Sequence, residues 1–218
     1  MAYKCREEIV GKRFLSVRSP TKLKVSKISE WEWRSGVVRA VSSRDATSVE
    51  FTVLVEFEDV EWKRREWIRV HETFQVFLVE HTLVWTSRPP SDKDPPSKPL
   101  PGLCFKPIVD KCGFAPSKKR VVEFLVDHDL AVVEDDDIQF YQEGDENRYE
   151  SVAGNPELQK AVKAWVDYQD GQRILLTTPT VLVGYRVEVY RAEGTTQWYT
   201  AVIQSYNPTT KVCITISV

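Results

Sequence analysis

One pattern occurs twice in this chain, and it confines the fold to small antiparallel β modules. Residues 11–17 (GKRFLSV) lead to a Trp33-led strand at residues 36–41 (GVVRAV). Residues 184–190 (GYRVEVY) lead in the same way to a Trp198-led strand at residues 201–206 (AVIQSY). Each copy opens on glycine, alternates apolar and polar residues at period two, turns, and places an aromatic just before a second alternating strand. A period of two puts every second side chain on one face, so each copy can bury one face of a meander and wet the other. Small barrels of this kind rarely carry catalysis themselves, which favours recognition over chemistry, although fold alone does not assign function.

The rest of the chain can be placed around the two copies. The first module spans residues 1–88, and its clearest strand runs from Phe51 to Phe57, with Phe51, Val53, Val55 and Phe57 on a buried face. The turn at residues 58–61 leads to a return strand over residues 62–70. Residues 76–79 and 82–85 read as continued β structure, or as one helical turn followed by a strand. Residues 89–102 form a proline-rich linker or loop, since the stretch 87–102 holds six of the twelve prolines and few apolar side chains. Residues 103–180 are expected to bridge the modules as a hairpin plus a helix. The hairpin turns at Asp127-His128-Asp129, and an acidic run, Glu134 to Asp137, ends its second strand. The helix starts at Asn155-Pro156, an N-cap followed by proline at the first helical position, and carries an apolar stripe of Leu158, Ala161, Val162, Trp165 and Val166. The second module occupies residues 181–218 and holds three strands' worth of sequence, so a truncated module is expected there. The fold class is therefore mostly β with minor α, two Tudor-like or SH3-like barrels joined by a hairpin-plus-helix segment.

Charge and composition exclude several functions. The 30 basic residues nearly cancel the 32 acidic ones, so the net charge of −2 supplies no global attraction for nucleic acid or an anionic membrane. No apolar run approaches the ~20 residues needed to span a bilayer, and the N-terminus lacks a secretory apolar segment, which reads as an intracellular chain. The four cysteines, Cys5, Cys104, Cys112 and Cys213, match neither a CxxC zinc half-site nor a dense disulfide framework. Nucleophile-elbow and phosphate-cradling glycine motifs are missing from the sequence.

The strand segments at residues 10–17 (VGKRFLSV), 35–45 (SGVVRAVSSRD), 54–70 (LVEFEDVEWKRREWIRV), 77–85 (FLVEHTLVW), 184–191 (GYRVEVYR) and 196–203 (TQWYTAVI) resemble the N-terminal region of the jumonji-C histone lysine demethylases. Within these the third lysine-demethylase subfamily, and its long C-type branch, is the most similar. The resemblance implies a nuclear chromatin regulator whose enzyme demethylates lysine on the histone H3 tail with Fe(II) and 2-oxoglutarate. It places those cofactors in a C-terminal domain, so this segment is expected to hold neither a catalytic residue nor a metal. An iron site needs two histidines and a carboxylate converging, and His71, His81 and His128 lack that spacing.

Three binding modes remain for such a segment, whose expected partners are nuclear proteins or histone tails. It can act as a non-catalytic recognition and scaffolding region that captures a protein partner, for instance by strand addition to an open edge. It can read methylated lysine through an aromatic cage, for which Trp31, Trp33, Phe57 and Trp62 lie in suitable places in the first module and Tyr190, Trp198 and Tyr199 in the second. Lys63, Arg64 and Arg65, between Trp62 and Trp67, together with Lys22, Lys24 and Lys27, offer phosphate contacts to nucleic acid. Against all three stands the ordinary role of large aromatics in small β domains, as core and rim.

Overall fold

The structure, a computed structural model, describes residues 9–42, 46–60, 65–89, 97–113, 118–142, 144–145, 149–190, 198–210 and 212–217. The chain divides into two compact units, residues 1–159 and 160–218. In the first, β1 (Arg13–Val17), β2 (Arg34–Val41), β3 (Thr52–Phe57) and β4 (Glu66–Arg69) form an antiparallel meander. A single helical turn, Val70–Thr73, leads to β5 (Val76–Thr86), which returns to pair with β1 at Leu15↔Leu78. Then β6 (Leu100–Asp110), β7 (Lys119–Phe124) and β8 (Leu130–Glu134) extend the sheet, and β9 (Gln139–Phe140) pairs with β5 at Val84↔Phe140.

The expectation of a mostly β chain holds, but barrel closure does not. Among the described residues the sheet stays open, in the order β4-β3-β2-β1-β5-β6-β7-β8. The reason lies in β5, whose eleven residues are more than one small barrel needs. Its first half pairs with β1 and completes the β1–β4 meander, its second half pairs with β9, and β6 runs along both halves into a second meander. Register shifts at Phe77/Leu78 and Glu80/Thr82 bend the strand between its two roles, as bulges do. Two cores result. Phe14, Val38, Val53, Val55, Phe57 and Phe77 build the first, with the Phe14 and Phe77 rings stacked at 5.0 Å. Val84, Cys104, Val122, Phe124, Ala131 and Val133 build the second. The hairpin at residues 119–134 is thus continuous with the first module's sheet, and β6 already starts at Leu100, within the stretch whose composition suggests a loop.

The helix Pro156–Thr177 starts as its sequence dictates, with Asn155 Oδ1 accepting from the backbone N–H groups of Glu157 at 3.1 Å and Leu158 at 3.2 Å. It runs through Gly171 to Thr177. In the second unit, β10 (Arg186–Tyr190), β11 (Trp198–Asn207) and β12 (Val212–Ser217) form an antiparallel sheet of their own.

The repeat is structural as well as textual. Gly11 and Gly184 sit at φ 86° and 92°, a region that L side chains avoid. Gly11 N–H donates to Val38 O at 2.7 Å, and Gly184 N–H donates to Ile203 O at 2.7 Å. The return bonds also agree, Val38 N–H to Lys12 O and Ile203 N–H to Tyr185 O, both at 3.0 Å. Each second strand then shifts register at the equivalent place, between Val38 and Ala40 and between Ile203 and Ser205.

Candidate aromatic and groove sites

The 3-10 turn Val25–Glu30 delivers Trp31 and Trp33 to one place. Trp31 is only 8% exposed and Trp33 is half-buried, and their ring centroids lie 5.6 Å apart at an interplanar angle of 38°. Trp33 Nε1–H donates to Ile28 O at 3.3 Å, whereas buried Trp31 Nε1–H has no hydrogen-bond partner among the described residues. Such an orphaned donor is unusual in a native interior.

Phe57 stands apart from this pair. It is 2% exposed, meets Phe14 edge to face at 5.4 Å, and belongs to the first core. A cation already covers its ring, since the Arg34 guanidinium carbon lies 3.7 Å from the centroid. Asp59 grips the same guanidinium with two bonds, from Nε at 2.9 Å and from Nη2 at 2.8 Å. In return Arg34 holds the Asp59 carboxyl below the usual carboxylate range. The cation–π site at Phe57 is therefore filled from within the chain. Trp62 lies outside the described residues. In the second unit Tyr190 and Trp198 are opposed across the β10–β11 ladder, and half-buried Tyr199 opposes Val189.

The basic residues are similarly committed. Lys63 and Arg64 lie outside the described residues, but Arg65 donates to Glu56, which also accepts from Arg39 at 2.8 Å. Partial burial pushes the Glu56 carboxyl up, yet the two arginines outweigh it and keep the group below the ordinary carboxylate range. Arg65 thus serves an internal ion triad rather than a free phosphate site. A cavity of about 400 Å³ beside Trp31 is lined by Arg18, Lys22, Lys24 and Lys27 but also by Glu30 and Glu32, and Lys27 pairs with Glu30 at 2.8 Å.

Sequence reasoning missed a larger groove, of about 720 Å³, in the first unit. Ile28 and Trp33 line it together with Phe124 of β7 and Leu130 and Val132 of β8. Arg88 lies over the Phe124 ring at 4.3 Å and bonds both Asp127 and Asp129, the latter at 2.7 Å. The paired aspartates around His128 were legible as a turn, and His128 takes φ 59° there. Their arginine partner, about forty residues away, was not.

An Fe(II) site does not fit the histidines and cysteines described. His71 Nε2 faces Ala46 O at 2.7 Å, His128 Nδ1 faces Glu123 at 3.1 Å, and His81 occupies the β5 bulge, so the three do not converge. Burial pushes the Cys104 thiol up to about 11, which keeps it protonated at neutral pH. Burial, reinforced by Lys106 and Lys12, likewise lowers the His81 pKa to about 4 from 6.5. A folded pKa below the unfolded one means that the unfolded chain binds the extra proton between those values. Stability should therefore fall as pH drops from about 6.5 to 4, by on the order of 1–2 kcal/mol after discounting for solvent screening at this half-exposed ring. Urea unfolding at stepped pH should show this slope in the parent protein and lose it in His81→Gln.

Comparisons with known proteins divide the chain into three matched segments. A family model for a domain of unknown function matches residues 8–67, which hold β1 to β3 and the first half of β4. The PWWP-domain model of lysine-specific demethylase 3B matches residues 77–172, and the tudor-domain model of the same protein matches residues 174–217. The chain is 40% identical along its whole length to "Probable JmjC domain-containing histone demethylation protein 2C" of Homo sapiens, of which it spans 9%. It is 32% identical over 211 residues to lysine-specific demethylase 3A of Homo sapiens, covering 93% of this chain and 16% of that protein. The Gallus gallus protein of that name is 30% identical, covering 93% of this chain and 15% of its own length. The chain thus spans less than a fifth of the relatives it matches.

Proposed function

The chain belongs to the lysine-specific demethylase 3 family of jumonji-C proteins, in their N-terminal region, and from that premise we propose that it is a non-catalytic recognition and scaffolding segment that binds protein partners on chromatin. The observation that carries this reading is the succession of a PWWP match and a tudor match in one chain. Both are β modules that serve chromatin recognition, so the natural partners are histone tails or other nuclear proteins, and the compartment is the nucleus. The demethylation chemistry, with its Fe(II) and 2-oxoglutarate, then belongs to other parts of the longer protein. No helix among the described residues is long and apolar enough to cross a membrane.

One observation favours methyl-lysine reading as a second mode. Trp31 and Trp33 hold their rings 5.6 Å apart and Trp31 lines the cavity of about 400 Å³, whereas Phe57 would first have to release Arg34. Nucleic-acid binding through residues 63–65 is the third mode, and Arg65's bonding to Glu56 weakens it.

An amide NMR titration of the 218-residue chain with histone H3 and H4 tail peptides, unmodified and methylated, tests these together. Saturable shifts with the unmodified tails are expected. Methylation-dependent movement of the Trp31 and Trp33 indole N–H signals, lost in Trp33→Ala, would establish the reader. Silence with every peptide at millimolar concentration would overturn binding to histone tails.

A further inference from the structure

β8 ends the sheet of the first unit, and among the described residues no strand covers its outer edge. Hydrogen-bond parity identifies the backbone groups on that edge. Asp129 O accepts from Phe124 N–H at 3.0 Å and Asp135 N–H donates to Lys118 O at 2.8 Å, so residues 129, 131, 133 and 135 bond inward to β7. Antiparallel ladders alternate, and the N–H and C=O groups of Leu130, Val132 and Glu134 therefore point outward. Side chains divide in the same way. Ala131 and Val133 are buried in the second core, while 38%-exposed Leu130 and half-buried Val132 line the groove with Ile28 and Trp33.

The edge lacks the usual protection. Residues 130–134 read Leu-Ala-Val-Val-Glu, without proline or lysine, whereas β4 at the other end of the sheet is four residues long and carries two charges. The ends of the β8 edge differ electrostatically. At the Leu130 end Arg88 neutralises Asp127 and Asp129. Beyond Glu134, Asp135 is held by Arg120, but Asp136 and Asp137 are exposed.

We propose that β8 captures an extended peptide as an added antiparallel strand, with an apolar side chain lodged against Trp33 and Leu130 and basic residues at the peptide's N-terminal end facing Asp136 and Asp137. The direction follows from antiparallel pairing, which brings the incoming N-terminus to the C-terminal end of β8. Main-chain bonds to residues 130, 132 and 134 supply affinity, and the groove and the acidic end supply selectivity. The inference rests on the recognition reading above and specifies its edge and its ligand chemistry. An acidic peptide or a nucleic acid would meet like charge at the same place.

Amide hydrogen exchange on the 218-residue chain tests it, with a short peptide of alternating threonine and valine led by lysines, and a second led by glutamates. The lysine-led peptide should slow exchange at Leu130, Val132 and Glu134 by roughly tenfold or more, and the glutamate-led one should not. Val132→Pro removes one outward N–H and spares the β7 ladder, a position where edge strands tolerate proline. That variant should lose the effect while the Ala131 and Val133 amides stay protected, which reports that it folds. Equal protection by both peptides, protection only at β12, or protection that survives Val132→Pro would overturn the proposal. Histone-tail shifts that persist in Val132→Pro would leave the recognition reading standing and remove β8 as its site.

Discussion

Arg13→Ala is expected to cost about 3 kcal/mol of unfolding free energy, the lower end of the ~3–5 range for stripping one partner from a buried ion pair. Glu123, 3% exposed, receives Arg13 Nε–H at 2.9 Å and Nη2–H at 2.6 Å, a bidentate grip, while the same guanidinium also bonds Glu58. Burial opposes the charge on Arg13, but the hydrogen bonds it donates to its two carboxylate partners outweigh it and hold the guanidinium protonated. Without it, a carboxylate enclosed by protein keeps exposed His128 as its one side-chain hydrogen-bond partner among the described residues. The lower end of the range applies because Arg13 is itself 19% exposed. Urea denaturation checks the value, and Arg13→Ala combined with Glu123→Gln should recover much of the loss by removing the stranded charge. A loss under about 0.5 kcal/mol would class the pair with surface ion pairs. The contact joins β1 to β7, so the variant should loosen both halves of the sheet.

Gly36→Ala should have a comparable effect for a steric reason. A Cβ at this position in β2 would collide with Glu56 O and lie 2.8 Å from the Phe14 ring, between a neighbouring strand's backbone and a fully buried aromatic. Neither can retreat without breaking the β2–β3 ladder or displacing the first core, so a loss of about 3 kcal/mol is expected. Gly171→Ala is the matched control. Its added methyl meets nothing within 4 Å in the helix Pro156–Thr177, and replacing a helical glycine should stabilise by about 1 kcal/mol. Denaturation midpoints moving in the same direction for both variants would remove the steric explanation.

Local signals along the chain were legible without coordinates. Strand alternation at residues 51–57, the helix start at Asn155-Pro156 and the duplicated glycine-led motif all reappear in the structure, because each depends on groups a few residues apart or on a backbone conformation that glycine permits. The candidate site was only partly legible. The Trp31 and Trp33 rings lie 5.6 Å apart, as residues two positions apart readily do, whereas strand position alone suggested Phe57 as their neighbour. Its burial against Phe14 and its cover by Arg34 depend on which strands become neighbours. The groove beside β8 brings residues 25–33 against residues 121–132, and no periodicity reports such a meeting.

By itself, the sequence determined the β-rich class, the repeated glycine-led hairpin, the helix cap and the kinship with the lysine-specific demethylase 3 family. Tertiary structure alone decided that β5 is shared between two meanders, that Arg13 links β1 to β7, that Arg34 covers Phe57, and that β8 is an open edge among the described residues. The division has a physical basis. Periodicity and capping act within a few residues of one segment, whereas strand order, ion pairing across 110 positions and edge exposure follow from long-range packing, which selects among many locally equivalent arrangements.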